Sequence, residues 1–277
     1  MIAAAPLPKS EELYPGFRLC HLLGRGETSE VWEATKDDGT VVALKFLPCA
    51  DSLTAAQGIR SMQLIRQVGH HQLTQIDKVW CGPNCLVVTM EMAEGSLLDL
   101  LTAYRTELGT PIAPEHVCLL LTQVAEVLDF LNTRQHQVRG RPMGIQHGNI
   151  KPSNLLVFDD TVKLSDFALA SALTCSLEPH SPLGVSPYTA PEVLQGRISD
   201  WTDQFGLAVS YCLLRGGQLP FPDTPTRLQG YYVRSHPDLS MLPVAEQTII
   251  RRALAPIPHD RWPSCRELFL QLEKVVC

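Results

Sequence analysis

The sequence predicts a bilobal α+β fold, with a small antiparallel β-sheet lobe carrying one helix and then a larger, mainly helical lobe. Three observations predict it. Residues 17–92 are built from short β-branched or aromatic runs cut by Gly, Asp and Pro turns, the signature of successive strands. One stretch inside that region instead spaces apolar Ile59, Met62, Ile65 and Val68 at three-residue intervals, as a helix does. Beyond Met92 the text becomes helical almost throughout.

Taken in order, residues 1–16 read as an extended N-terminal tail. FRLCHLLG, VWEAT, TVVALKFL, IDKVWC and LVVTMEM are the strands of the small lobe, with TAAQGIRSMQLIRQV its helix. The junction falls near Glu91–Gly95, which puts the lobes at 17–92 and 93–277. SLLDLLTAYRTEL opens with Ser96 and carries Asp99 three residues on, a capping-box-like start. PEHVCLLLTQVAEVLDFLNT follows, with Pro114 in a first turn. NLLVF and TVKLSDF flank a DD turn and read as a hairpin. The remaining long elements, DQFGLAVSYCLLRG, VAEQTIIRRALA and SCRELFLQLEKVV, are helical.

Composition narrows the function classes. Apolar residues make up 45% and charged residues 19% of 277, ordinary values for a globular chain. A net charge of −6 argues against a broad nucleic-acid surface. No apolar run approaches the ~18 residues of a membrane span. The first residues lack a basic region ahead of a long apolar core, so no secretion signal is expected, and Ile2 excludes N-myristoylation. Nine cysteines, an odd number scattered through apolar stretches, fit buried thiols in a reducing cytoplasm better than a disulfide framework. Cys81 and Cys85 in WCGPNC, with His70 and His71 nearby, invite a metal reading. No second ligand pair with zinc-like spacing exists, so Gly82, Pro83 and Asn84 are read as a hairpin turn and no structural metal is expected.

Six motifs occur in a specific order. GRGETSEV lies between two strands, VALK ends on the third, HGNIKPSN follows a long helix, SDFALA follows a hairpin, and YTAPE precedes TDQFGLAVSY. This order resembles the protein-kinase superfamily, and the helical-lobe wording looks like the bacterial relatives of eukaryotic Ser/Thr kinases. The resemblance covers the chain from Phe17 to its end and implies ATP and Mg²⁺ as cofactors. Gly24 and Gly26 let a hairpin backbone close over phosphates, while Ser29 takes the third glycine position. Val31 and Ala43 are the expected apolar roof over an adenine ring, with Glu91 and Met92 at the lobe junction also expected to bind ATP. By the same resemblance Lys45 meets the α and β phosphates, Lys151 the γ-phosphate, and Asn154 and Asp166 hold metal through oxygen atoms suited to Mg²⁺.

Several positions depart from the family pattern. Asn149 stands where the catalytic-loop aspartate is expected, and an amide can orient a hydroxyl but cannot take its proton. Loss of a general base costs roughly 10²–10⁴-fold in rate. From Ser52 through Ile76 there is no Asp or Glu, so Gly58 or Ser61 occupies the place of the helix glutamate that pairs with the strand lysine, unless Asp51 substitutes. Gly148 replaces the arginine that commonly receives an activation-segment phosphate, although Thr174, Ser176, Ser181 and Ser186 are available to carry one. Ala168 follows Phe167 where glycine is usual, and Val185 replaces a threonine. Scaffold positions persist: Glu192 and Arg261 resemble an ion pair, and Asp203 resembles the helix aspartate that bonds the catalytic-loop backbone. Residues 132–146 form a long basic loop with Arg134, Arg139 and Arg141, read as a solvated insertion ahead of a partner-binding one.

Three readings follow. The first is a cytoplasmic pseudokinase that binds ATP and Mg²⁺ and regulates or recruits another protein. The second is a weakly active Ser/Thr kinase acting on protein hydroxyls, and the third a nucleotide-free interaction scaffold. None calls for nucleic acid or a membrane span.

Overall fold

Five strands, β1 (Phe17–Arg25), β2 (Glu30–Lys36), β3 (Val41–Pro48), β4 (Ile76–Gly82) and β5 (Cys85–Met90), make one antiparallel sheet in the order β1-β2-β3-β5-β4. This computed structural model describes residues 16–26, 29–49, 52–82, 85–138, 140–167, 171–172, 186–221, 223, 225–228 and 231–276. The chain divides into two compact units, residues up to Gly69 with Thr74–Ala93, and His70–Leu73 with Glu94–Cys277. The second takes in His70–Leu73, a four-residue excursion that linear reading cannot assign.

Alternation along β3 sorts the first unit into two faces. Val42, Leu44 and Phe46 join Ala34, Cys85 and Val87, with Phe17 and Trp80 stacked against one another at 5.6 Å beside them. Ala43 joins Met62, Leu86, Val88 and Met90 on the opposite face. That face is covered by α1 (Ser52–Val68), whose Met62 and Ile65 are buried. Gly58 of α1 lies against the sheet, where a Cβ would stand 3.1 Å from Leu86 Cδ2.

The second unit is organised by two helices. α2 (Leu97–Ala103) follows β6 (Gly95–Ser96) and has a complete capping box, with Ser96 Oγ accepting from the Asp99 N–H and Asp99 accepting from the Ser96 N–H. A π-helical turn, Tyr104–Leu108, continues it to Gly109. α3 (Pro114–Asn132) begins on Pro114 and buries Val117, Leu121, Val124, Leu128 and Leu131, the stripe its sequence period predicts.

Past α3 come β7 (His136–Val138), β8 (Arg141–Met143) and β9 (Ile145–Gln146). The expected basic loop is therefore a hairpin, in register His136↔Met143 and Val138↔Arg141. Three-residue strands holding Gln, Pro and Arg give no alternation that a pattern search could detect. β10 (Leu155–Phe158) and β11 (Thr161–Leu164) form the expected hairpin, with β10 also pairing β6. β12 (Ser171–Ala172) pairs antiparallel with β9. α4 (Thr202–Gly216) is buried along nearly its whole length, including polar Thr202, Asp203 and Gln204. A short hairpin, β13 (Thr226–Leu228) with β14 (Tyr231–Val233), precedes α5 (Val244–Ala253) and α6 (Cys265–Val276), and α6 packs along α3. Among the described residues no helix is long and apolar enough to cross a membrane, and no group of three His, Cys, Asp or Glu is arranged for a metal.

Candidate active site

The residues expected to meet nucleotide fall in both units. In the first, Gly24 pairs with Val31 across β1 and β2, next to a register shift in β1. Gly26 N–H donates to Ser29 O at 2.8 Å, so Ser29 closes the turn with its main chain. A Cβ on Gly26 would stand 3.0 Å from Ser29 Oγ. Val31, Ala43 and Met92 meet in one apolar cluster. Lys45 lies between Val31 and Val88 in the sheet register, on the face that α1 covers, and is buried. The helix over that face has no acidic residue. Glu91 grips the start of β4, with its carboxylate accepting Gln75 N–H at 2.8 Å and its own N–H donating to Gln75 O.

In the second unit the loop His147–Asn154 hangs from a single carboxylate. Asp203 Oδ2 accepts the His147 N–H at 2.7 Å and Oδ1 accepts the Gly148 N–H at 2.8 Å. Burial pushes the Asp203 carboxyl up to about 6, with Glu192 adding to the rise and the two N–H groups opposing it. Gly148 sits at φ 75, backbone that a side chain makes costly, so glycine suits this turn. His147 is fully buried, and its tautomer follows from its neighbours. Nδ1 accepts the Asn149 N–H at 3.2 Å, and Nε2 donates to Ser165 O at 2.8 Å. Phe167 meets the same ring edge-on at 5.0 Å.

This frame brings Asn149, Asn154 and Asp166 together. Asn149 Nδ2 donates to Asp166 Oδ2 at 3.3 Å. Asn154 Nδ2 donates to Asn149 O at 2.8 Å, which leaves its side-chain oxygen as the acceptor. Asn154 O in turn accepts from both the N–H and the hydroxyl of Ser165. Asp166 holds φ 67, uncommon for a residue with a side chain, so the hydrogen-bonded loops on either side fix its backbone against a local cost of about 1 kcal/mol. A carboxylate and an amide oxygen are a hard donor pair, chemically suited to Mg²⁺. Lys151 is partly buried at the entrance to the 3₁₀ turn Pro152–Asn154.

Below the loop, Arg261 and Glu192 form a two-pronged ion pair at 2.9 and 2.8 Å, with Arg261 1% exposed. Ser199 and Thr202 hydroxyls also donate to Glu192 Oε1, and Arg261 caps Ala255 O and Trp201 O. Gly206 of α4 passes so close beneath the loop that a Cβ would lie 2.9 Å from Ile150 O. Asp51, Ala168, Thr174, Ser176, Ser181, Val185, Arg139 and the tail through Pro15 lie outside the described residues.

Sequence reading missed two supports. Gln146 accepts Asp203 N–H on its carbonyl and donates through Nε2 to Asn132 Oδ1. Its position beside His147 was the available signal. Arg234 donates to the carbonyls of Ser186, Pro187 and Thr189 and lies over Phe221 at 4.5 Å. Nothing in its local sequence marks it. Ser186, by contrast, shares its hydroxyl with Thr189 and Tyr188 N–H in a closed turn.

Residues 17–268 match the family model described as the protein kinase domain. CBL-interacting protein kinase 20 of Oryza sativa subsp. japonica is 30% identical over 228 residues, covering 75% of this chain and 46% of that protein. Serine/threonine-protein kinase Pkn1 of Myxococcus xanthus is 28% identical over 267 residues, covering 90% and 36% respectively. The chain thus spans less than half the length of these curated relatives. The crystal structure of the Mycobacterium tuberculosis PknI kinase domain, C20A mutant, matches with a TM-score of 0.71 at 23% identity, over 94% of this chain and 95% of that one. That likeness is one of fold.

Proposed function

This chain belongs to the protein kinase family, and from that premise we propose that it is a pseudokinase, binding ATP with Mg²⁺ and acting by regulating or recruiting another protein. One observation carries the reading: the Asn149 side chain spends its amide as a donor to Asp166. A general base at this position must accept a proton from a substrate hydroxyl. An amide that is neutral and already donating into the metal-binding carboxylate holds the site's shape without that capacity.

The residues present fit the expected cofactors. Asp166 and the Asn154 side-chain oxygen would hold Mg²⁺, which when bound neutralises phosphate charge. Gly24 and Gly26 would admit phosphates, Lys45 and Lys151 would counter their charge, and Val31, Ala43 and Met92 would enclose the base. Because the Glu91 carboxylate is engaged with Gln75, its contribution to nucleotide binding falls to the main chain. The absence of an acid from α1 supports the same conclusion, since the family holds its strand lysine in place with a helix glutamate.

A second reading, weak Ser/Thr kinase activity, is favoured by the retention of Lys151, Asn154 and Asp166 in an ordered loop. Phosphoryl transfer through a loose transition state depends mainly on positioning and charge. Thermal-shift assays with ATP and Mg²⁺, run beside label transfer to the protein itself and to a generic basic substrate, separate the readings. The pseudokinase gains stability from nucleotide and transfers no label. Robust transfer abolished by Lys45→Met would establish the enzyme instead, and no stabilisation at millimolar ATP would leave a nucleotide-free scaffold.

A further inference from the structure

His70 and His71, a conspicuous pair in the sequence, belong to no metal-binding arrangement among the described residues. They head the excursion His70–Leu73 into the second unit. Their rings stack on one another at 4.5 Å, and His70 lies against Phe130 of α3, also at 4.5 Å. Phe130 is itself fixed. His136 of β7 meets its ring edge-on at 5.0 Å and donates through Nε2 to its carbonyl at 2.8 Å.

The segment is fastened by bonds that begin at His70. Gln72 N–H donates to His70 Nδ1 at 3.2 Å, and Leu73 N–H donates to His70 O at 3.0 Å. Leu164 N–H donates to Gln72 O at 2.8 Å, and Leu73 runs parallel to Leu164 in an isolated bridge. Gln72, Leu73 and Leu164 are all buried. Leu164 ends β11, and the next two residues are Ser165, whose carbonyl accepts His147 Nε2–H, and Asp166. The segment is thus tied to the strand that delivers the candidate metal carboxylate.

We propose that residues 70–73 are a proton-operated strap: neutral His70 keeps it fastened to β11, and protonation of His70 releases it. Accepting Gln72 N–H takes a lone pair on Nδ1, and an imidazolium has none, so protonation sets two donors against each other. The ionisable groups facing the ring are His71 from the strap itself and Glu126 from α3. Glu126 also pairs with Arg266 of α6 at 3.7 Å, and His136 touches the same Phe130 ring. Burial holds the His70 imidazole below its ordinary value of 6.5, His71 adds to the depression, and Glu126 opposes it. The fastened form is therefore fully stabilised above that ordinary value, and its hold is lost as pH falls through the lower folded-state value. Nothing in this device requires that phosphate be transferred.

The test is amide hydrogen exchange on the full chain from about pH 7.5 to about pH 5, with intrinsic exchange rates corrected. Protection of the Gln72, Leu73 and Leu164 amides should fall at least about tenfold across that range. His70→Asn puts an oxygen that takes no proton close to the place of Nδ1, and its protection should stay level. That variant also removes the contribution of other titrating groups from the comparison. His71→Ala takes away the imidazole that resists charge on His70, so the fall should begin at higher pH. Level protection in the unmodified chain would overturn the proposal, as would an equal fall in His70→Asn. If His70→Asn does not fold, a ring-proton titration of the unmodified chain replaces it. Loss of protection must then track His70, and a midpoint that follows a different histidine overturns the strap.

Discussion

Asn149 Nδ2 stands 3.3 Å from Asp166 Oδ2, so an amide donor occupies the flank of the carboxylate expected to hold metal. An aspartate in the same place would set two like charges side by side and make a cation the natural means of relieving them. Asn149→Asp should therefore lower the Mg²⁺ concentration at which ATP stabilises the protein, by several-fold in a thermal-shift titration. Label transfer should stay near background, because α1 still supplies no acid. An unchanged Mg²⁺ midpoint would show that the amide is electrostatically idle.

Asp203 gives the fold a pH signature. Its ordinary carboxyl value is 3.8 and burial pushes it to about 6. The folded state therefore holds the proton more tightly than the unfolded one. The associated stabilisation is fully present below about pH 4 and is lost as pH rises through about 6, on the order of 3 kcal/mol. Asp203→Asn should flatten this part of the stability–pH curve while weakening the loop it suspends, since one amide cannot accept both N–H donors through two oxygens. Urea melts of the two proteins at intervals between pH 4 and 7 check the slope. Parallel curves would assign the titration elsewhere.

Glu192 and Arg261 are a pair whose loss cannot be absorbed by water. Arg261→Ala strands a carboxylate that is 4% exposed, and breaking such a pair typically costs about 3–5 kcal/mol. Arg261→Lys should recover little, because one ammonium cannot reproduce the fork onto Glu192 while also reaching Ala255 O and Trp201 O. Chemical denaturation of both variants measures this directly, and a near-native lysine variant would refute the geometric part.

Much of this was legible because the chemistry lies in local words. The Ser96–Asp99 capping box, Pro114 at the head of α3 and the alternation of β3 all follow from spacing alone. Asn149 was conspicuous because HGNIKPSN surrounds it with recognisable neighbours. What stayed hidden depends on chain separation. Arg234 reaches carbonyls 45 to 48 residues away, and Gln146 meets Asp203 57 residues on. The β7–β8 hairpin escaped for a different reason, since its anchoring is by ring edges and a backbone carbonyl, neither of which leaves a hydrophobic period.

Gly148 has a consequence for control. The family pattern leads one to expect an arginine at that position, to receive a phosphate from the activation segment. Here the turn at φ 75 is made by a residue with no side chain, and its own N–H and that of His147 are already claimed by Asp203. Position 148 is a fixed setting, with no side chain there for a phosphate to turn.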